Sequence, residues 1–512
     1  MDTLYYNGTI RTMEHFAPEE ALLVRDGRVA AVGPFAQLLD QCTYTKKVDL
    51  AGACLMPAFL DAHSHIVSWA MGKLQADLGG AADYPAIAEA MGRFAREREI
   101  PPGSWVLGRG ADMLLEESLV PLLDRVLPDR PAMVLHVSSH GGVFNTAAQR
   151  LLGLDRGALV ENPFLAAQKK VPLPGLEELV QAFREAQDDY LSQGYVLAQE
   201  GCVTAEAAGL YAALEKAGAL KMAVVGYGQP DMACDLGPIP TVGFTLRGTK
   251  IFLDGSPQQR TAFLRQPYTG GGLGEATMTE EEVLSAVRRA GEDRRQILAH
   301  CNGDAAIDRF LWALEEADYP AALRPVVVHA QLMQLDQLDR ARRLEAVVSF
   351  FPAHTRHWGD VHLANLGDRA MTISPCRSAL DRGVPITLHQ DTPVLPPDPL
   401  EAAACAALRR TKGGVPLDQG ERISVYEALQ ALTAGAAWQY HAEGERGTLA
   451  PGKRADLIVL DRDPAVLPPE ELETVRVLAT VGGGEVLWRR EGCPSPPPDI
   501  SGKNFANNGK RY

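Results

Sequence analysis

Two histidines one residue apart, His63 and His65, close the apolar stretch LMPAFLDAHSHI at 55–66. Side chains at i and i+2 of a strand lie on one face, so both imidazoles can address a single point. A divalent cation is the chemistry that such a pair suits, and Asp61 precedes it. Other metal-capable residues end other short apolar runs: Lys250 in TLRGTKIFLDG, His300 in RQILAHCNGD, His329 in RPVVVHAQ and Asp391 in VPITLHQDTP. A histidine at one strand end is more often a hydrogen-bonded structural residue. Six such residues from five strands that meet at one face make a metal site. Zinc suits imidazole and carboxylate donors; nickel, manganese and iron stay open on ligand type. A metal of this kind lowers the pKa of its water towards neutrality, giving hydroxide that can attack a carbonyl.

These side chains converge only if their strands do. The middle of the chain alternates short apolar runs with helical segments. The runs lie at 131–139, 194–203, 245–255, 295–304, 324–331, 345–354 and 384–393, with CLMPAFLDAHSH in front. The helical stretch TEEEVLSAVRRAGED (279–293) opens on a Thr cap followed by acidic residues. That makes about eight β/α units, the number that closes a barrel whose functional groups gather at the C-terminal strand ends. Residues 71–130 and 151–190 do not fit the repeat and read as helical insertions. Short strands and turns recur at 1–56, with a D-G hairpin signal, and again at 441–490. Two strand-rich ends around the barrel region 57–440 predict one small β domain built from both. The Pro/Gly/Asn-rich stretch 491–512 reads as a flexible tail.

The 512 residues are more than one small domain holds, and 46% hydrophobic with 22% charged residues is ordinary globular composition. A formal net charge of −15 argues against nucleic-acid or anionic-membrane partners, which require basic surface. No run approaches the roughly 18 apolar residues of a membrane span. The start MDTLYYNGTI lacks the basic and apolar regions of a signal peptide. Eight cysteines without a C-x-x-C pair suggest neither a disulfide framework nor a cysteine zinc site. A cytoplasmic protein is the expectation.

The chain resembles the amidohydrolase superfamily, and within it the amidohydrolase-3 branch that includes N-substituted formamide deformylases. The matching pieces are MPAFLDAHSH (56–65), TKIFLDGSPQQRTAFLRQPY (249–268), AHCNGDAAID (299–308), VVVHAQ (326–331), LHQDTPV (388–394) and GTLAPGKRADLIVLD (447–461). The resemblance implies a (β/α)8 TIM barrel with a β-sandwich domain made from both termini. It implies His63, His65 and Asp391 around a first metal, and His300 and His329 around a second or sharing one. Lys250 would be carbamylated by carbon dioxide, because a carbamate is an anionic oxygen ligand where an ammonium repels metal. The alternative is an unmodified Lys250 paired with Asp254. Barrels of this superfamily are often dimers, so a homodimer is expected as well.

On that resemblance the reaction is hydrolysis of a non-peptide amide C–N bond in a small molecule. Asp391 would take the water's proton and return it to the departing nitrogen. His140 and Asn145 in HVSSHGGVFNTAAQ resemble a segment that borders the pocket. His354, His357 and Trp358 in FFPAHTRHWGD are brought towards its mouth, and Arg260 in DGSPQQR is a substrate anchor or a solvated side chain. His389, two residues before Asp391, is read as pointing away. Two rivals stand beside this reading. Deamination of a cyclic amidine is weakened because VVVHAQLM carries Gln331 where such deaminases often hold a glutamate. A non-catalytic binding protein is opposed by retention of all six candidate ligands.

Overall fold

The computed structural model describes residues 2–42, 45–136, 141–232, 234 and 237–492. The chain divides into two compact units, Met1–Ile66 with Gln187–Tyr512, and Val67–Ala186.

The larger unit carries an eight-stranded parallel sheet. Its strands are β1 (Phe59–Leu60), β2 (Tyr195–Val203), β3 (Ala223–Gly228), β4 (Gly243–Phe252), β5 (Gln296–Cys301), β6 (Val326–His329), β7 (Val347–Phe350) and β8 (Ile386–Leu388). Each pairs with the next in chain order. The VVVH of β6 and VVSF of β7 are buried throughout, the pattern of strands covered on both faces. Helices fill the returns. In Glu280–Glu292 the Thr279 and Glu282 side chains each accept the other's backbone N–H, and Val283, Ala286, Val287 and Ala290 form its buried stripe. The sheet curls. Beyond β1 the His65 N–H donates to the Thr392 carbonyl beyond β8, at 2.7 Å, so the C-terminal ends of the first and last strands meet.

One expected strand belongs elsewhere. Ala132–His136, inside the predicted run 131–139, joins the sheet of the smaller unit, while the unpredicted Ala223–Gly228 takes a place among the eight. Both are short apolar runs, and periodicity does not say which sheet a run will join. Nor are 71–130 and 151–190 separate helical insertions. Residues 67–186 form one mixed unit, with sheet order Ala158–Val160, Gly141–Phe144, Ala132–His136, Val106–Ala111 and Ala76–Asp77. Helix Tyr84–Glu97 packs on it through Ile87 and Met91.

The chain ends build two further sheets. One contains Asp2–Tyr6, Ala21–Arg25, Arg28–Gly33 and Thr45–Asp49; the other joins Thr9–Ile10 and Cys54–Pro57 to Leu457–Leu460, Val477–Gly482 and Glu485–Arg489. Leu22, Val24 and Val48 from the first share a buried apolar cluster with Leu55, Leu457 and Val481 from the second. The D-G signal holds: Asp26 and Gly27 both take positive φ, 49° and 74°, between two antiparallel strands. From residue 493 onward the expected tail lies outside the described residues. Among the described residues no helix is long and apolar enough to cross a membrane.

Candidate metal centre

The six residues singled out by type lie at or beyond the C-terminal ends of their strands. His63 and His65 follow β1, Lys250 is in β4, His300 in β5, His329 ends β6, and Asp391 follows β8. Their polar atoms converge. His63 Nε2 lies 3.2 Å from Lys250 Nζ and 3.5 Å from Asp391 Oδ1. His65 Nε2 is 3.7 Å from the same Oδ1, and His329 Nε2 is 3.9 Å from Asp391 Oδ2. His63, His329 and Asp391 each offer one ligand atom within 4.8 Å of the others. His300 stands behind His329, Nδ1 to Nε2, at 3.0 Å.

Burial sets the charges. It drives the His63, His329 and His389 imidazoles well below their usual range and His300 down to about 3, so all four are neutral with a lone pair to give. It also pushes Asp391 up to about 6, against the nearby His65 and Lys250, and lowers Lys250 to about 8. Asp391 Oδ1 is buried and has no hydrogen-bond partner. Neutral nitrogens around a carboxylate oxygen with nothing to bind are the donor set a divalent cation requires. The backbone is held in an unfavourable region for this. Asp391 and His329 both sit at positive φ, 53° and 74°, a conformation uncommon for non-glycine residues. Gly201 is required by close approach: a Cβ there would lie 2.5 Å from His63 Cε1.

Three residues that sequence reasoning undervalued belong to this centre. His389 does not point away: its Nε2 lies 3.1 Å from His329 Nδ1, and its Nδ1 lies 3.0 Å from Ser349 Oγ. Strand β8 ends at Leu388, so alternation no longer governs where His389 and Asp391 point. Gln199 meets His63 Nδ1 at 2.6 Å. Asn302 donates to the Gly255 carbonyl and approaches His300 Nε2 at 3.0 Å. A signal existed for Gln199, since two polar residues interrupt the otherwise apolar start of β2, YVLAQE.

Asp254 does not pair with Lys250. Its carboxylate accepts the N–H groups of Phe263, Asn302 and Gly303, the last of these the N-cap of helix Asp304–Glu316, and lies 3.5 Å from His300 Nε2.

The described residues expected to meet substrate have these partners. Asn145 caps helix Thr146–Leu152, and its amide meets Leu127, Arg130, Ala132 and Ala148. Arg260 donates to the Thr269 and Gly271 carbonyls and lies over Tyr268, fastening its own loop. His357 Nε2 lies 2.8 Å from Glu401. Trp358 packs on Phe351, Ala353, Leu395 and Cys405. His354 is buried, 3.1 Å from His362 and packed on Phe351, whose ring lies 5.3 Å from that of His389. His140 lies outside the described residues.

A profile of the amidohydrolase family matches residues 46–488. The chain belongs to the amidohydrolase family. Members of the family are hydrolases acting on C–N bonds. This amidohydrolase is 28% identical to N-substituted formamide deformylase of Arthrobacter pascens, over 96% of this chain and 99% of that protein. It is 26% identical to putative amidohydrolase YtcJ of Bacillus subtilis (strain 168), over 96% of this chain and all of that one. Among solved structures, an uncharacterized metal-dependent hydrolase from Pyrococcus furiosus superposes with a TM-score of 0.76 at 26% identity, covering 91% of this chain and 100% of its own.

Proposed function

We propose that this amidohydrolase cleaves the C–N bond of a small N-formyl or N-acyl amine, releasing a carboxylic acid and an amine. The observation that carries the reading is the Asp391 Oδ1 atom, buried without a partner and within 3.7 Å of both His63 and His65. The similarity to a protein named N-substituted formamide deformylase supports the substrate class.

Asp391, His63, His65 and His329 would hold a divalent cation, zinc first, with His300 beside them. A second cation would be held by His300, His329 and a carbamylated Lys250. Such a cation supplies an activated water and an electrophile for the carbonyl oxygen. Asp391, raised to about 6, is ionised at pH 7 yet basic enough to take the proton of the attacking water. It then returns that proton to the departing nitrogen. The cation, helped by a nearby histidine, would stabilise the developing oxyanion. The closed (β/α)8 barrel, the β-sandwich of 1–56 with 441–490, a homodimeric state and a cytoplasmic location complete the proposal. Gln331 speaks against deamination: its amide donates to the Phe351 carbonyl and accepts from Ser374 Oγ, with no carboxylate to shuttle a proton.

Metal analysis of the purified protein, followed by incubation with a panel of N-formyl and N-acyl amines, tests this. Bound zinc, chelator-sensitive turnover, and acid and amine formed in equal amounts are expected. Ammonia without acid would replace the reading with deamination, and a protein that binds no metal would replace it with a binding role.

A further inference from the structure

We infer that Gln199 is a positioning residue that selects the ring proton of His63, so that the Nε2 lone pair faces the metal centre. The inference rests on the metal-site reading and adds to it an element that the ligand set does not contain.

The assignment follows from a chain of groups each of which can act in one way. Gln199 is fully buried in β2, and one end of its amide lies 2.6 Å from the Ala62 carbonyl oxygen. A carbonyl oxygen only accepts, so that end is the NH2 group. The same NH2 donates to Tyr440 Oη at 2.8 Å, and Tyr440 in turn donates its own proton to the Asp61 carbonyl at 2.5 Å. The amide cannot be flipped without setting an oxygen against Ala62 O. Gln199 Oε1 therefore faces His63 Nδ1, and at 2.6 Å the imidazole nitrogen must be the donor. With a proton held at Nδ1 by Gln199, Nε2 is the nitrogen left to address a cation, and it faces Lys250 Nζ and Asp391 Oδ1. Gln439 reinforces the anchor, donating to Ala62 O at 2.7 Å from another element. Groups behind a ligating histidine that fix its tautomer typically change metal affinity 10–100-fold when removed.

The test uses full-length protein labelled with 15N at histidine, the His63 signals being assigned by their loss in His63→Gln. A long-range 1H–15N spectrum of the metal-free wild type is expected to show His63 protonated at Nδ1. Zinc affinity, measured by competition with a chromophoric chelator, is expected to fall on the order of 10–100-fold in Gln199→Leu. A His63 ring protonated at Nε2 in the metal-free wild type overturns the inference. So does a folded Gln199→Leu variant that binds zinc as the wild type does. The spectrum judges the tautomer whether or not Gln199→Leu folds. Failure of the wild type to bind zinc would instead remove the metal reading, an outcome separate from the spectrum.

Discussion

His63 and Asp391, which follow the first and the last strand of the parallel sheet, stand 3.5 Å apart, Nε2 to Oδ1. Two groups delivered from opposite ends of an eight-strand ladder share one point because the sheet curls back on itself. Everything proposed for the site depends on that meeting.

Asp391→Asn keeps the volume but removes the base. Turnover of an N-formyl amine is expected to fall by on the order of 10²–10⁴. Secondary structure, followed by circular dichroism, should be unchanged. Intact turnover would exclude Asp391 from proton transfer.

Lys250 is a buried amine lowered to about 8 by desolvation, which raises the neutral fraction at pH 7–8 relative to a surface lysine. Only a neutral amine adds carbon dioxide. Native mass spectrometry of the metal-loaded protein in bicarbonate is expected to show one added carbon dioxide, absent in Lys250→Met and lost on acidification. An unmodified mass under all these conditions would leave the lysine unmodified.

The metal-free protein should lose stability as pH falls from about 6.5 towards 4. Burial depresses seven imidazoles, His63, His300, His329, His354, His362, His389 and His441, with His300 at about 3 and His362 at about 4. Below pH 6.5 the unfolded chain binds protons there that the folded chain refuses, so each of the seven favours unfolding in acid. Asp61 and Asp391, raised to about 6, Asp254, raised to about 7, and Asp304 and Asp398, also raised by burial, act in the opposite sense. Their contribution is fully present below 3.8 and is lost as pH rises through 6 to 7. The imidazoles outnumber them, so the melting temperature should rise with pH across this window. A melting temperature that falls instead would show that the carboxylates dominate.

Gly201→Ala tests the packing against His63. The added methyl would meet His63 Cε1 at 2.5 Å and Ser64 O at 3.0 Å, both held by buried neighbours. Zinc stoichiometry and turnover should both drop, whereas an alanine in place of the open Gly209 should change neither.

Gln331→Glu should not create a deaminase. A carboxylate there would face the Phe351 carbonyl that now accepts the amide's N–H, at 3.0 Å. A destabilisation of about 1–3 kcal/mol in urea unfolding is expected from that unsatisfied contact. Ammonia release from cyclic amidines by this variant would reopen the rival reaction.

Much of the site was legible along the chain because each of its residues ends an apolar run, and a strand end is a position that sequence reveals. His63 and His65 announced a shared face through their i, i+2 spacing, and the order of the motifs carried the family. The eightfold count was right, yet one of its members was wrong: AMVLH at 132–136 and AVVGYG at 223–228 are equally good strands. Asn145, which the resemblance sets beside the pocket, caps helix Thr146–Leu152. Arg260, open between a substrate anchor and a solvated side chain, donates to the carbonyls of its own loop.

The chemistry of the donors, their strand-end placement and the apolar runs that carry them are properties of local sequence, since residue type and period are written one position at a time. Which run enters which sheet, where His389 turns once β8 has ended, and which nitrogen of His63 holds the proton were decided only in three dimensions. Each depends on a partner from a distant segment, Thr392 for His65, His329 for His389 and Gln199 for His63, and periodicity within one strand does not encode the identity of its neighbour.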